Sequence, residues 1–148
     1  MEDSIKKDLL KLYKDKNFLE ILKDKGLCNL GDNFTNFVYS LAKSKVLEEA
    51  TGWKVSGKTL ATALRDSHLR EFCPSRASTH DLADFAEAII VYLWFTNHYS
   101  IDRIVSILAE EMNDGIFKDL KKEERTAIKA FTKLFIEFTN KLKQIGLI

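Results

Sequence analysis

Apolar residues recur along this chain at three- and four-residue intervals, in stretches parted by short polar runs, and that rhythm predicts helices from end to end. Residues 3–24 carry Ile5, Leu9, Leu12, Leu19 and Leu22 on one stripe, with a possible break at Asp15-Lys16-Asn17 and Gly26 as a C-terminal cap. A second helix is expected from Asp32 to about Glu49, with Phe34, Phe37, Val38, Leu41 and, near its end, Lys45 on the inner stripe. Residues 51–57 read as a loop, and Ser56 is placed to cap a third helix over 57–69. A second loop, stopped by Pro74, spans 72–79. The fourth helix is expected over 80–97 and the fifth over 101–113, with Ile101, Ile104, Val105 and Leu108 inward and a turn at 113–115. In the last, 121–145, Ile128, Phe131, Phe135, Phe138, Leu142 and Ile145 alternate steps of three and four. Such a seam, bulky with Phe, is suited to packing into the domain or a subunit interface.

Composition narrows the class. The chain has 148 residues, 45% of them hydrophobic, with ten Phe and four Tyr. That is enough for one domain, 1–148, burying roughly 70% of its unfolded surface. One proline and six glycines leave few breakers, so the expected class is all-α. No repeat, linker or low-complexity segment is present. Cys28 and Cys73 lack metal-ligand spacing and read as buried or reduced thiols of an intracellular, cytoplasmic protein. The first residues are charged and amphipathic rather than leader-like, and the apolar run 89–95 is too short to span a bilayer. A net charge of +1 gives no global attraction for nucleic acid, so any such function must rest on local chemistry.

That chemistry starts in LADFAEAIIVYLWF (82–95), the most apolar stretch, which holds Asp84 and Glu87 one turn apart. Thr79 or Ser78 as N-cap and the helix dipole account for Asp81 and Asp84 as well as any other reading does. They do not account for Glu87, roughly two turns in. An ionised carboxylate among Phe85, Ala86, Ala88 and Ile90 needs a basic partner, a helix N-terminus or a hard cation. Asp32 is a third such carboxylate, at the head of an apolar helix face, with Gly31 beside it allowing another helix close. If the second and fourth helices pack with their N-terminal halves adjacent, Asp32, Asp84 and Glu87 share one pocket. Three carboxylates there repel one another unless a cation such as Mg²⁺ lies between them, an arrangement suited to phosphodiester hydrolysis.

Residues 52–59, GWKVSGKT, match the phosphate-loop pattern letter for letter. The buried strand that pattern requires is missing, since LAKSKVLEEAT before it is charged and helical, so no nucleotide triphosphate is expected as a partner. Paired Glu-x-x-His motifs for a two-iron bundle are likewise missing.

Leu30-Gly31-Asp32 resembles the end of the ribonuclease III signature, LEFLGD, and Ala83-Asp84-Phe85-Ala86-Glu87-Ala88 resembles its second acidic motif, A-D-x-x-E-A, followed here by IIVYL. The resemblance covers roughly residues 27–95, and the second motif is the more specific. It implies a ribonuclease III endonuclease-domain-like helical bundle, with Asp32, Asp84 and Glu87 as catalytic, metal-binding carboxylates for Mg²⁺ or, in its place, Mn²⁺. It also implies a homodimer that cleaves double-stranded or structured RNA, the apolar face of 30–41 supplying much of the interface. The competing function is a catalytically weak or inactive RNA-binding or scaffolding module. The family's first Glu falls at Cys28; the mini form of ribonuclease III also lacks it, is active, and has no double-stranded-RNA-binding domain. This chain has no room for one either, and its size is closest to a small archaeal ribonuclease III-like group. His80, four residues before Asp84, is a lesser ligand candidate, whereas His68 and His98 read as structural. Lys58, Arg65, Arg70 and Arg76 are candidates for RNA phosphate contacts, or simply a solvated face.

Overall fold

The computed structural model describes the backbone of residues 2–148 and the side chains of 3–148, and among these every regular element is helical. In chain order they are α1 (Glu2–Tyr13), α2 (Phe18–Lys23), α3 (Lys25–Leu47), α4 (Gly57–Asp66), α5 (Thr79–Phe95), α6 (Ile101–Ala109) and α7 (Leu120–Gln144). Short 3₁₀ turns at Leu69–Phe72 and Asp114–Lys118 join α4 to α5 and α6 to α7. None of these helices is long and apolar enough to cross a membrane.

The helix expected over 3–24 is two helices: α1 stops at Tyr13, and Asn17 opens α2 by building a capping box with Glu20. The break rotates the stripe: Leu22 is buried and Leu9 half-buried, but Ile5, Leu12 and Leu19 face solvent, and Phe18 and Ile21 take the inner positions. Gly26 caps nothing. Asp24 ends α2 and starts α3, its carboxylate accepting from the Leu27 N–H at 2.9 Å. The second helix therefore begins at Lys25 instead of Asp32, which puts Asp32 about two turns inside α3. On α3 the core residues are Leu27, Cys28, Phe34, Val38, Tyr39 and Ala42; Leu41 is half-buried, while Phe37 and Lys45 are exposed.

Downstream, α4 stops at Asp66, where His68 turns left-handed into the first 3₁₀ turn, and α6 ends at Ala109, a turn before the expected end. Along α6, Ile104, Val105 and Leu108 are buried and Ile101 half-buried. The α7 seam is inside the domain: Phe131, Phe135, Phe138 and Leu142 are buried, with Ile128 and Ile145 at its margins. Both cysteines are buried free thiols.

α5 is the central post. From Leu82 to Phe95 only Asp84 and Trp94 escape burial, so this helix is enclosed on every side, by α3 and α4 chiefly and by α2 at one end. The α3–α5 crossing is so tight that a β-carbon built on Gly31 would lie 2.1 Å from the carbonyl oxygen of Glu87. The sequence expectation that Gly31 admits another backbone is met, and the backbone it admits is that of the acidic motif.

Candidate acidic site at the helix crossing

The site grows from how α5 starts. Ser78 is its N-cap, accepting from the Asp81 N–H at 3.0 Å while Asp81 accepts from the Ser78 N–H at 3.0 Å. These bonds hold the Asp81 carboxyl below its ordinary pKa. Capping thus explains Asp81 and leaves Asp84 and Glu87 to something else.

His80, Asp84 and Glu87 follow one another at steps of four and three, on the face of α5 turned to α3. Lys25, Cys28 and Asp32 follow at steps of three and four on the facing side of α3. The two rows meet as rungs. At the outer rung, Asp84 Oδ2 is 3.5 Å from Lys25 Nζ and 3.6 Å from His80 Nε2. On the middle rung the Cys28 thiol donates to the Leu22 carbonyl at 3.5 Å; burial, then the charge of Asp84, pushes its pKa up to about 11. At the inner rung Glu87, 7% exposed, lies within hydrogen-bonding reach of Asp32. Burial, the shared bond with Asp32 and the charges of Asp32 and Asp84 push the Glu87 pKa up to about 8. The opposing charge is Lys54, on the loop before α4. No described Lys or Arg forms a salt bridge with Glu87, so a buried basic partner does not explain this carboxylate.

Asn36 ties that loop to the site: its side-chain amide donates to Asp32 Oδ1 at 3.3 Å and its oxygen accepts from the Val55 N–H at 2.8 Å. Ser40 and Ser44 pin the same loop at Trp53 and Thr51. The structure therefore brings Asp32, Asp84 and Glu87 to one crossing and adds Lys25, Asn36 and Lys54, which the sequence reading overlooked. Starting α3 at Lys25 supplies the missing signal, since residues 25, 28, 32 and 36 then share one face.

By the chemistry of its donors alone, the set is of the kind a divalent cation takes. All three side chains are oxygen donors, as hard cations require, and a buried Glu87 crowded by the charges of Asp32 and Asp84 is the strain that such a cation relieves. As the side chains lie, no group of three His, Cys, Asp or Glu among the described residues could hold a metal ion. Glu87 and Asp32 adjoin, while the outer oxygen of Asp84 is turned to Lys25 and His80.

The basic candidates divide. Arg70 donates to the carbonyls of Pro74 at 2.9 Å and Ser75 at 2.8 Å, which makes it the clamp of the 73–75 loop. Arg65 reaches the Thr79 hydroxyl at 3.3 Å, beside the start of α5. Lys58 is exposed, 3.7 Å from Glu124, and Arg76 is exposed without an ion pair among the described residues. His68 pairs with Glu71 on the surface, and His98 is half-buried beside Lys141, its pKa lowered by burial and then by that charge. In GWKVSGKT, Ser56 and Thr59 bond each other at 2.8 Å as the cap of α4, and an extended loop precedes them. The pattern here serves a helix cap.

No curated protein matches the chain. The sequence model of ribonuclease III matches residues 25–144, which runs from the first residue of α3 to the last of α7 and includes both acidic rows. With the all-helical fold and both motifs on facing helices, the chain belongs to the ribonuclease III family.

Proposed function

We propose that this protein is a Mg²⁺-dependent endoribonuclease that cleaves double-stranded or structured RNA. The observation that carries the reading is the meeting of Asp32, Asp84 and Glu87 where Gly31 lets α3 touch α5. The family's action on structured RNA and its general use of divalent metal point the same way. When bound, the cation supplies a water of lowered pKa and neutralises charge developing on the phosphate. The chain does the rest. Asp32, Asp84 and Glu87 hold the ion, with Mn²⁺ able to replace Mg²⁺. Asn36 fixes the rotamer of Asp32, and the buried crossing fixes Glu87. Lys54 sets a positive charge opposite Glu87 and, with Lys58, Arg65 and Arg76, offers charge to an incoming phosphate.

In the same proposal two copies pair through α3. Leu30 is 40% and Phe37 52% exposed on its outer side, next to a hollow lined by Phe37, Leu41 and Ala50 together with polar residues such as Asn33, Ser40 and Ser44. A second reading, an RNA-binding module without turnover, is favoured by one observation: a thiol stands at position 28, where the family signature has a carboxylate. Long duplex RNA incubated with the protein in Mg²⁺ or Mn²⁺, with Asp84→Asn as control, separates the two. Cleavage lost in the variant supports the enzyme. Binding without cleavage in either metal supports the module.

A further inference from the structure

Asp84 is the one carboxylate of the three that the structure finds paired with a lysine. Lys25 and His80 approach the same oxygen, Oδ2, one from each helix. The pair is lopsided, for the Asp84 side chain is 18% exposed and that of Lys25 78%. The lysine can therefore swing into water at little cost, while the carboxylate stays at the crossing. Across the helix pair Lys25 forms its ion pair with Asp84, and its charge also reaches Asp81 one turn before.

We propose that Lys25 is a built-in counter-ion of the acidic site, occupying Asp84 in the metal-free protein and competing with the divalent cation for it. This rests on the reading of Asp32, Asp84 and Glu87 as the metal site and assigns that site a regulator. The competition has two sources. The ammonium must leave Oδ2 before that oxygen turns inward, and a positive charge a few ångströms from the site repels a second one. It explains why three acids that converge on one crossing do not close around a point. It also makes cation binding dependent on salt, because a pair this exposed is screened.

The test is Mn²⁺ binding to the whole chain, followed by the electron paramagnetic resonance of free Mn²⁺, on wild type, Lys25→Met, Lys25→Arg and Asp84→Asn. The comparison is repeated on a His80→Gln background, so that the imidazole contributes nothing. Lys25→Met is expected to tighten Mn²⁺ binding about three- to tenfold at low ionic strength, falling below about twofold at ~0.5 M salt. Lys25→Arg, which keeps the charge, is expected to stay near wild type. Unchanged or weaker binding by Lys25→Met, alongside a large loss in Asp84→Asn, overturns the counter-ion role and leaves the metal site standing. Equal binding by wild type and Asp84→Asn removes the site itself, and the competition with it.

Discussion

Glu87 shows most plainly what the carboxylate cluster costs the protein. Its pKa of about 8 lies above the ordinary carboxylate value of 4.5, so the folded state keeps a proton that the unfolded chain gives up in between. The native state binds more protons across that window, and stability must fall as pH rises through it, by up to about 1.4 kcal/mol per pH unit. Metal-free protein in chelator is thus expected to melt lower at pH 8 than at pH 5.5. Flat melting temperatures across that range would contradict the assignment. Glu87 and Asp84 were legible in the sequence because apolar neighbours on both sides made a charge conspicuous. Lys25 and Asn36 were not, since a lysine among charged neighbours and an asparagine on an amphipathic helix carry no such contrast. Their importance comes from the face they share with Asp32.

At the level of helices, the crossing of α3 and α5 admits one residue type at position 31. Gly31→Ala puts a methyl group into the Glu87 carbonyl, so the helices must part; a loss of at least about 1–3 kcal/mol is expected in denaturant melts. A near-neutral result would show that α3 moves freely over α5. At the other end of α3 a second polar contact locks α7. Glu123, 2% exposed, accepts from Tyr39 at 2.8 Å and from Lys43 at 3.2 Å, and the Lys43 ammonium lies 3.9 Å from the Trp53 ring centre. Lys43→Met strands the Glu123 charge and should cost about 3–5 kcal/mol without altering Mn²⁺ affinity, a contrast that separates fold from site. The seam on α7 and the all-α class could be read from spacing alone. The start of α3 could not, because Gly26 looked like a stop, whereas Asp24 closes one helix and opens the next with no residue between. Lys43 and Glu123 lie 80 positions apart, beyond the reach of any periodicity argument.

For the molecule as a whole, pairing through α3 makes a direct prediction. Sedimentation should find a dimer at micromolar concentration, and Phe37→Asp, which charges the exposed apolar face, should weaken it at least about tenfold while leaving the monomer folded. A wild-type monomer would refute this interface. The central claim is that the acids at the crossing, the buried Glu87 above all, serve a cation at the expense of the metal-free fold, and global stability reports on it with opposite signs. Glu87→Gln keeps the shape and the bond to Asp32 but removes the charge. In chelator at about pH 9, above the Glu87 pKa, the variant should melt higher than wild type, because the burial and repulsion are relieved. Added Mn²⁺ should raise the wild-type melting temperature and barely move that of the variant. If Glu87→Gln instead melts well below wild type in chelator, the carboxylate is holding the fold together, and the metal-site account of this crossing is wrong.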